Sequence, residues 1–332
     1  MSAFPQSTNY RKYLDPRTLA RVASLDLRAR LVVEGLMTGM HRSPYQGISV
    51  EFAQHRPYVA GDDIRHVDWK VLAKTDRIYL KQYLEETNLH LICVVDASES
   101  MAFGSVAAEP DSANARSNEQ PGVARKDQGG KDDVVWTKYD HATAIAASLS
   151  YMAIQQQDSV GLAVFDNDLK KYHKPSNSPA QWRLITHELT LEPRLKKTST
   201  GKVLDQLAEK LTHRSLIVIL SDFFDNPESI QKGLRHLRYK KHELMVFQIL
   251  DPLEIEFPFE DVTLFKGLED MGELLTEPRA LREGYIEQLN LFTDQLTKMC
   301  RGMHIDFQRY STADPLDVAL STFLATRAAS IK

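Results

Sequence analysis

Leu89-His90-Leu91-Ile92-Cys93-Val94-Val95-Asp96-Ala97-Ser98-Glu99-Ser100 is an apolar run that ends in a burst of oxygen-bearing side chains. The run Leu89–Val95 is too short for a helix of ordinary length and lacks polar alternation, so it reads as a strand buried on both faces. Asp96, Ser98 and Ser100 then place one carboxylate and two hydroxyls on a single turn at the strand's carboxyl end. Ligands of open α/β sheets bind at that end. All three side chains are hard oxygen donors, which suits Mg²⁺ or Mn²⁺. A near-octahedral ion needs further oxygens, and two later places offer them. Thr198 or Thr200 opens the helix expected at 201–213, with Thr198 favoured by its distance before Leu204 and Leu207, and Asp222 follows the strand Leu216–Leu220. An Asp-x-Ser-x-Ser run alone is a weak signal, because Asp and Ser are common in turns and caps, and a threonine before a helix serves equally as a plain N-cap. The strand before the run, the helix after it and a second strand ending in Asp222 add weight to the metal reading.

Outward from this run the chain alternates regularly. Helices are expected at 137–157, 179–190, 201–213, 227–240 and 278–301, with a last helix opened by Asp314-Pro315. Strands are expected at 160–165, 216–220, 244–250 and 305–309. Such alternation predicts right-handed βαβ units around a mostly parallel sheet flanked by helices, an α/β fold. Residues 254–276 break the rhythm and read as a loop with a small hairpin turning near Met271-Gly272. Residues 104–135 carry almost no large apolar side chain before Val134 and are expected to form a mobile polar insertion. Upstream, 15–40 reads as one long amphipathic helix with Asp15 as its cap and Pro16 in its first turn. Residues 44–88 read as β-rich with one short helix begun by Asp62 or Asp63. The expected domains are therefore 1–87, a helix plus β-rich segment, and 88–332, the α/β domain.

Bulk properties exclude several classes. The net charge of −4 opposes a dedicated nucleic-acid binder. Two cysteines, Cys93 and Cys300, are too few for a disulfide framework and fit a reducing compartment. No apolar stretch is long enough to span a membrane, and Met1–Tyr13 lacks the apolar core of a secretory signal. A cytoplasmic protein without direct membrane insertion is the expectation.

A resemblance then joins the two halves. Asp96, Ser98, Ser100, a later threonine and Asp222 are similar to the metal-ion-dependent adhesion site of von Willebrand factor A-type domains. Gly47-Ile48-Ser49-Val50-Glu51-Phe52, the run Arg56-Pro57-Tyr58-Val59-Ala60-Gly61-Asp62-Asp63-Ile64-Arg65-His66-Val67-Asp68-Trp69, then Ala73 and Arg77 resemble the signature of the bacterial domain-of-unknown-function family fifty-eight, whose members carry such a domain. The resemblance implies a von Willebrand factor A-type doubly wound sheet and an Mg²⁺ (or Mn²⁺) site. It also implies an adaptor role beside an AAA+ ATPase of the MoxR type. The chain departs from the family pattern at Glu99, where a small residue is common, and in the length of residues 104–135. Lys197-Thr198-Ser199-Thr200-Gly201 also lacks the usual Gly-Gly-Thr run.

The residues themselves favour binding over catalysis. Serine and threonine hydroxyls are neutral, so an ion held by them and few carboxylates keeps much of its charge. An Asp or Glu from a protein partner is then the expected last ligand. The alternative, a metal-dependent hydrolase or phosphatase, needs an activated water and a base placed to take its proton. No Gly-x-x-x-x-Gly-Lys phosphate loop is present, so the chain is not itself an ATPase of that class. The charged set Arg56, Asp62, Asp63, Arg65, Asp68 and Arg77 reads as an ion-pair and capping network, with Trp69 packed inside.

Overall fold

A computed structural model describes residues 16–19, 24–40, 55–57, 79–81, 90–107, 135–191, 199–260, 263–266 and 273–330. The chain divides into two compact units, Met1–Gly39 with Leu89–Lys332, and Met40–Asn88.

The larger unit is built on a six-stranded sheet. Its strands are β3 (His90–Asp96), β6 (Ser159–Phe165), β7 (Leu169–Ser176), β8 (Leu216–Ser221), β9 (Glu243–Leu250) and β12 (Asp306–Ser311), in spatial order β12-β9-β8-β3-β6-β7. Every pairing is parallel except β6 with β7. The four inner strands are apolar and buried almost throughout, as strands covered on both faces must be. One face carries α3 (Lys138–Gln155), α4 (Pro179–Leu189) and α9 (Leu316–Ser330); the other carries α5 (Thr200–Lys210), α6 (Pro227–Tyr239) and α8 (Pro278–Gly302). The core on the second face joins Ile92, Val94 and Phe165 of the sheet to Leu204, Leu207, Leu234 and Leu296 of the helices.

β7 is the strand that the sequence reading did not include. Its residues, Leu-Lys-Lys-Tyr-His-Lys-Pro-Ser, are half-exposed and polar, so no apolar run announces it. Its place at the sheet edge explains that composition, since lysines and proline on an edge strand discourage pairing with another chain.

α3 starts with a capping box. The Thr137 hydroxyl accepts from the Asp140 N–H, and the Asp140 carboxylate accepts from the Thr137 N–H. Before it, β4 (Val106–Ala107) and β5 (Val135–Trp136) pair antiparallel. The two roots of the polar segment thus lie side by side; residues 108–134, most of the expected mobile insertion, lie outside the described residues. Gly104 permits this ribbon to close. A Cβ there would stand 2.4 Å from the Trp136 carbonyl oxygen.

The long N-terminal helix appears as two pieces, α1 (Pro16–Leu19) and α2 (Leu25–Met40). Ser24 starts the second piece, its hydroxyl accepting from the Leu27 N–H at 3.4 Å. Leu25, Ala29, Val32 and Leu36 are buried, at the helical spacing read from sequence. The helix grips the α/β unit through two arginines. Arg28 stacks over Trp136 at 5.1 Å and pairs with Asp140 at 3.3 Å, and Arg30 stacks over Trp182 at 5.0 Å. The sequence reading grouped this helix with the β-rich segment up to residue 87; by its contacts it goes with the α/β unit. A helix that precedes a domain in sequence gives no sign of its partners in its own pattern.

In the smaller unit, β1 (His55–Pro57) pairs antiparallel with β2 (Tyr79–Lys81). The expected helix at Asp62 or Asp63 and the Gly-Asp-Asp charge network lie outside the described residues. Beyond the sheet, α7 (Pro252–Glu256) precedes a hairpin of β10 (Thr263–Lys266) and β11 (Glu273–Thr276), which occupies the place read as a hairpin.

Candidate metal centre

Strand alternation positions the site. On β3, Ile92 and Val94 face the α5–α6 layer, so Asp96, two residues on, faces it too. On β8, Ile217 and Ile219 face the same way, so Ser221 follows them. The strands pair in parallel up to Val95 and Leu220, which makes Asp96 and Ser221 neighbours at the next step. The Ser221 hydroxyl accordingly donates to Asp96 Oδ2 at 2.5 Å. Asp222, one residue later, turns toward the opposite face, where α3 begins.

Both carboxylates are fully buried, as are Ser98 and Thr200. Asp96 Oδ1 accepts the Ser98 N–H at 2.9 Å, and the Ser98 and Ser100 hydroxyls lie 3.1 Å apart. Ser98 precedes a 3₁₀ turn, Glu99–Ala102, without capping it through its side chain. Burial pushes the Asp96 carboxyl up to about 7, the nearby Asp222 charge adds to the rise, and hydrogen bonds from Ser221 and Ser98 oppose it. A buried Asp96 carboxyl whose charge is disfavoured by burial and by Asp222, beside two converging hydroxyls, forms a place suited to a cation.

Asp222 Oδ1 accepts the Phe224 N–H at 3.2 Å. Its Oδ2 accepts from the Lys138 ammonium at 2.8 Å, and that ammonium also donates to Glu254 Oε1 at 2.6 Å. Burial pushes the ammonium toward neutrality, but Asp222 and Glu254 more than offset this and hold the lysine charged. Burial raises the Glu254 carboxyl, with Lys138 pulling it back down. Between Asp222 and this turn, Phe223 adopts φ 62°, a left-handed conformation rare for a bulky residue. Such strain persists where the surroundings over-determine it, here by burial of the ring and the Phe223 N–H bond to Ser221 at 2.9 Å.

Of the residues singled out from sequence, Asp96, Ser98, Ser100 and Asp222 lie together at the carboxyl ends of β3 and β8. The strand order reverses there, since β6 lies on one side of β3 and β8 on the other. Thr200 is the first residue of α5, and Thr198 lies outside the described residues. The loop that carries Thr200 is tied to the β6 end through the Ser199 N–H and the Asp166 carbonyl at 3.2 Å. Gly201 then brings α5 against α6, since a Cβ there would meet Ser229 within 2.4 Å. Sequence reasoning missed Ser221, Lys138 and Glu254. Ser221 was readable from strand alternation once β8 is paired with β3. Lys138 carried a weaker signal, the only lysine or arginine of a helix rich in small and apolar residues.

A protein-family model described as "Protein of unknown function DUF58" matches residues 54–115 and 123–291, well over half of the chain. The chain belongs to that family. The two matched stretches include every residue of the candidate centre, and they separate inside the polar segment that follows it. Among curated relatives, an uncharacterized protein of Mycobacterium tuberculosis is 25% identical over 294 residues, covering 87% of this chain and 83% of the relative. Its counterpart in Mycobacterium bovis matches to the same degree, at 25% over 294 residues. Among solved structures, the conserved hypothetical protein BatB from Bacteroides thetaiotaomicron is similar over 72% of this chain and 98% of its own, at 14% identity and a TM-score of 0.44. The VWA domain of SpRpn10 is similar over 71% of this chain and 95% of its own, at 12% identity and a TM-score of 0.37. No helix among the described residues of this family member is long and apolar enough to cross a membrane.

Proposed function

We propose that this chain is a metal-dependent protein-interaction module rather than an enzyme. Asp96, Ser98, Ser100 and Asp222, with Thr200 or Thr198, would hold one Mg²⁺ or Mn²⁺. A bound ion supplies a positive, oxygen-seeking centre whose remaining position an Asp or Glu of a protein partner fills. The observation that carries this reading is the buried Asp96–Asp222 pair at the carboxyl ends of β3 and β8, where burial first, and the Asp222 charge second, raise the Asp96 carboxyl to about 7. Ser221 fixes Asp96 Oδ2 and the Ser98 N–H fixes Oδ1, so the carboxylate is oriented before any ion arrives. We further propose that the partner is an AAA+ ATPase of the MoxR type, served by this chain as an adaptor in complex assembly or maturation, as the family resemblance implies.

The first test is calorimetric titration of Mn²⁺ and Mg²⁺ into the intact protein and into Asp96→Ala. Saturable binding that is lost in the variant supports the site. Absence of binding by the intact protein, or equal binding by both, overturns it. The partner reading is checked by co-purification with a MoxR-type ATPase with and without chelator. Recovery that ignores both the chelator and Asp96→Ala would sink the metal-dependent form of the proposal.

A further inference from the structure

Lys138 occupies a poor position for a cation. It is the first residue of α3, where unpaired N–H groups present partial positive charge, and its side chain is fully buried. Desolvation and the helix end both act against the ammonium. Two carboxylates compensate, Asp222 at 2.8 Å and Glu254 at 2.6 Å. They differ in kind. Asp222 belongs to the candidate ion site. Glu254 belongs to the cap of α7, where its second oxygen accepts the Asp251 N–H at 2.8 Å. That bond anchors Glu254 independently of the lysine. The ammonium is therefore shared between a carboxylate the ion would need and one it would not.

We propose that Lys138 is a tethered counter-cation of the ion site, shared between Asp222 and Glu254 in the absence of a divalent ion and left to Glu254 alone in its presence, so that the Lys138–Glu254 pair sets how tightly the ion binds. This rests on the metal reading of Asp96 and Asp222. Three carboxylates and one ammonium leave two negative charges, which one divalent ion cancels. An ion approaching Asp222 meets an ammonium on the same carboxylate, and in a site from which water is excluded like charges repel strongly. The Glu254 bond gives the ammonium a second partner, so it need not be left buried and unpaired, the costly outcome for any interior charge. A lysine paired to Asp222 alone would compete with the ion outright; Glu254 moderates that competition.

The test is Mn²⁺ titration by calorimetry of the intact protein, Glu254→Gln, Lys138→Met and the Lys138→Met/Glu254→Gln pair. Thermal melts with and without Mn²⁺ provide a second readout. Glu254→Gln is expected to bind roughly tenfold more weakly, because the ammonium is left to Asp222. The double variant has the same local charge as the intact protein but no competitor, and is expected to bind roughly tenfold more tightly, with a larger melting shift on Mn²⁺ addition. Should Lys138→Met alone fail to fold, the double variant still decides, since it removes the cation together with one of its partners. Binding by the double variant equal to or weaker than the intact protein overturns this inference while leaving the ion site standing. Absence of Mn²⁺ binding by all four proteins overturns both.

Discussion

Ser221 both gives and receives at the centre of the site, donating to Asp96 and accepting from the Phe223 N–H. Ser221→Ala would strip a buried carboxylate oxygen and a buried backbone N–H of their partners at once. The expected cost is about 2–4 kcal/mol of stability, measured by urea unfolding at neutral pH; a loss below about 0.5 kcal/mol would show that neither bond matters. The sequence reading stopped at the apolar residues of this strand because a serine at a strand end looks like any turn residue. Only the pairing with β3 marks it. His141 lends itself to a pH experiment. Its ring is buried, its Nδ1 accepts from the Trp136 indole N–H at 3.3 Å, and burial drives its pKa down to about 3. Arg28, stacked over the same indole, adds a fixed positive charge nearby. Protonation is thus easier in the unfolded chain than in the folded one. The stability from a neutral His141 is fully present above about pH 6.5 and is lost as pH falls toward 3, by about 2 kcal/mol at pH 5. Unfolding at pH 7.5 and pH 5.0 measures this, and His141→Gln, which keeps an acceptor for the indole, is expected to flatten the slope.

Among the elements, those buried on both faces were the most legible. The strands at 90–96, 216–221 and 243–250 announce themselves as apolar runs, interrupted in their interiors only by Gln248, and the helices at 179–189 and 227–239 start with Ser-Pro and Asn-Pro signals. β7 was invisible because an edge strand needs little apolar surface, and the start of α2 at Ser24 was hidden inside a pattern that stays apolar on both sides. Helix proximity was equally unreadable. Nothing in the sequence near Gly201 or Gly233 tells that α5 and α6 touch there, yet a Cβ on Gly233 would lie 2.8 Å from the Gly201 carbonyl oxygen. Gly201→Ala is expected to force the two helices apart and lower stability by about 1–3 kcal/mol. Because Gly201 adjoins Thr200, the proposed ion site predicts that Mn²⁺ affinity falls in the same variant. Unchanged unfolding would show that the helices separate freely.

For the whole molecule, the fold class followed from the order of strands and helices, whereas the grouping of elements into units did not. α2 lies ahead of the smaller unit in sequence but packs on the larger one. A variant lacking residues 1–39 is therefore expected to uncover Trp136 and Trp182 and to melt at a lower temperature, a change that scanning calorimetry would read. An α/β unit that melts as before would mean that α2 contributes no stability. The same clasp has a consequence in time. Arg28 and its partner Asp140 are 112 residues apart. At roughly 5–20 residues per second of synthesis, α2 leaves the ribosome roughly 6–22 s before the helix that covers it. During that interval its apolar stripe is open to chaperones and to neighbouring nascent chains.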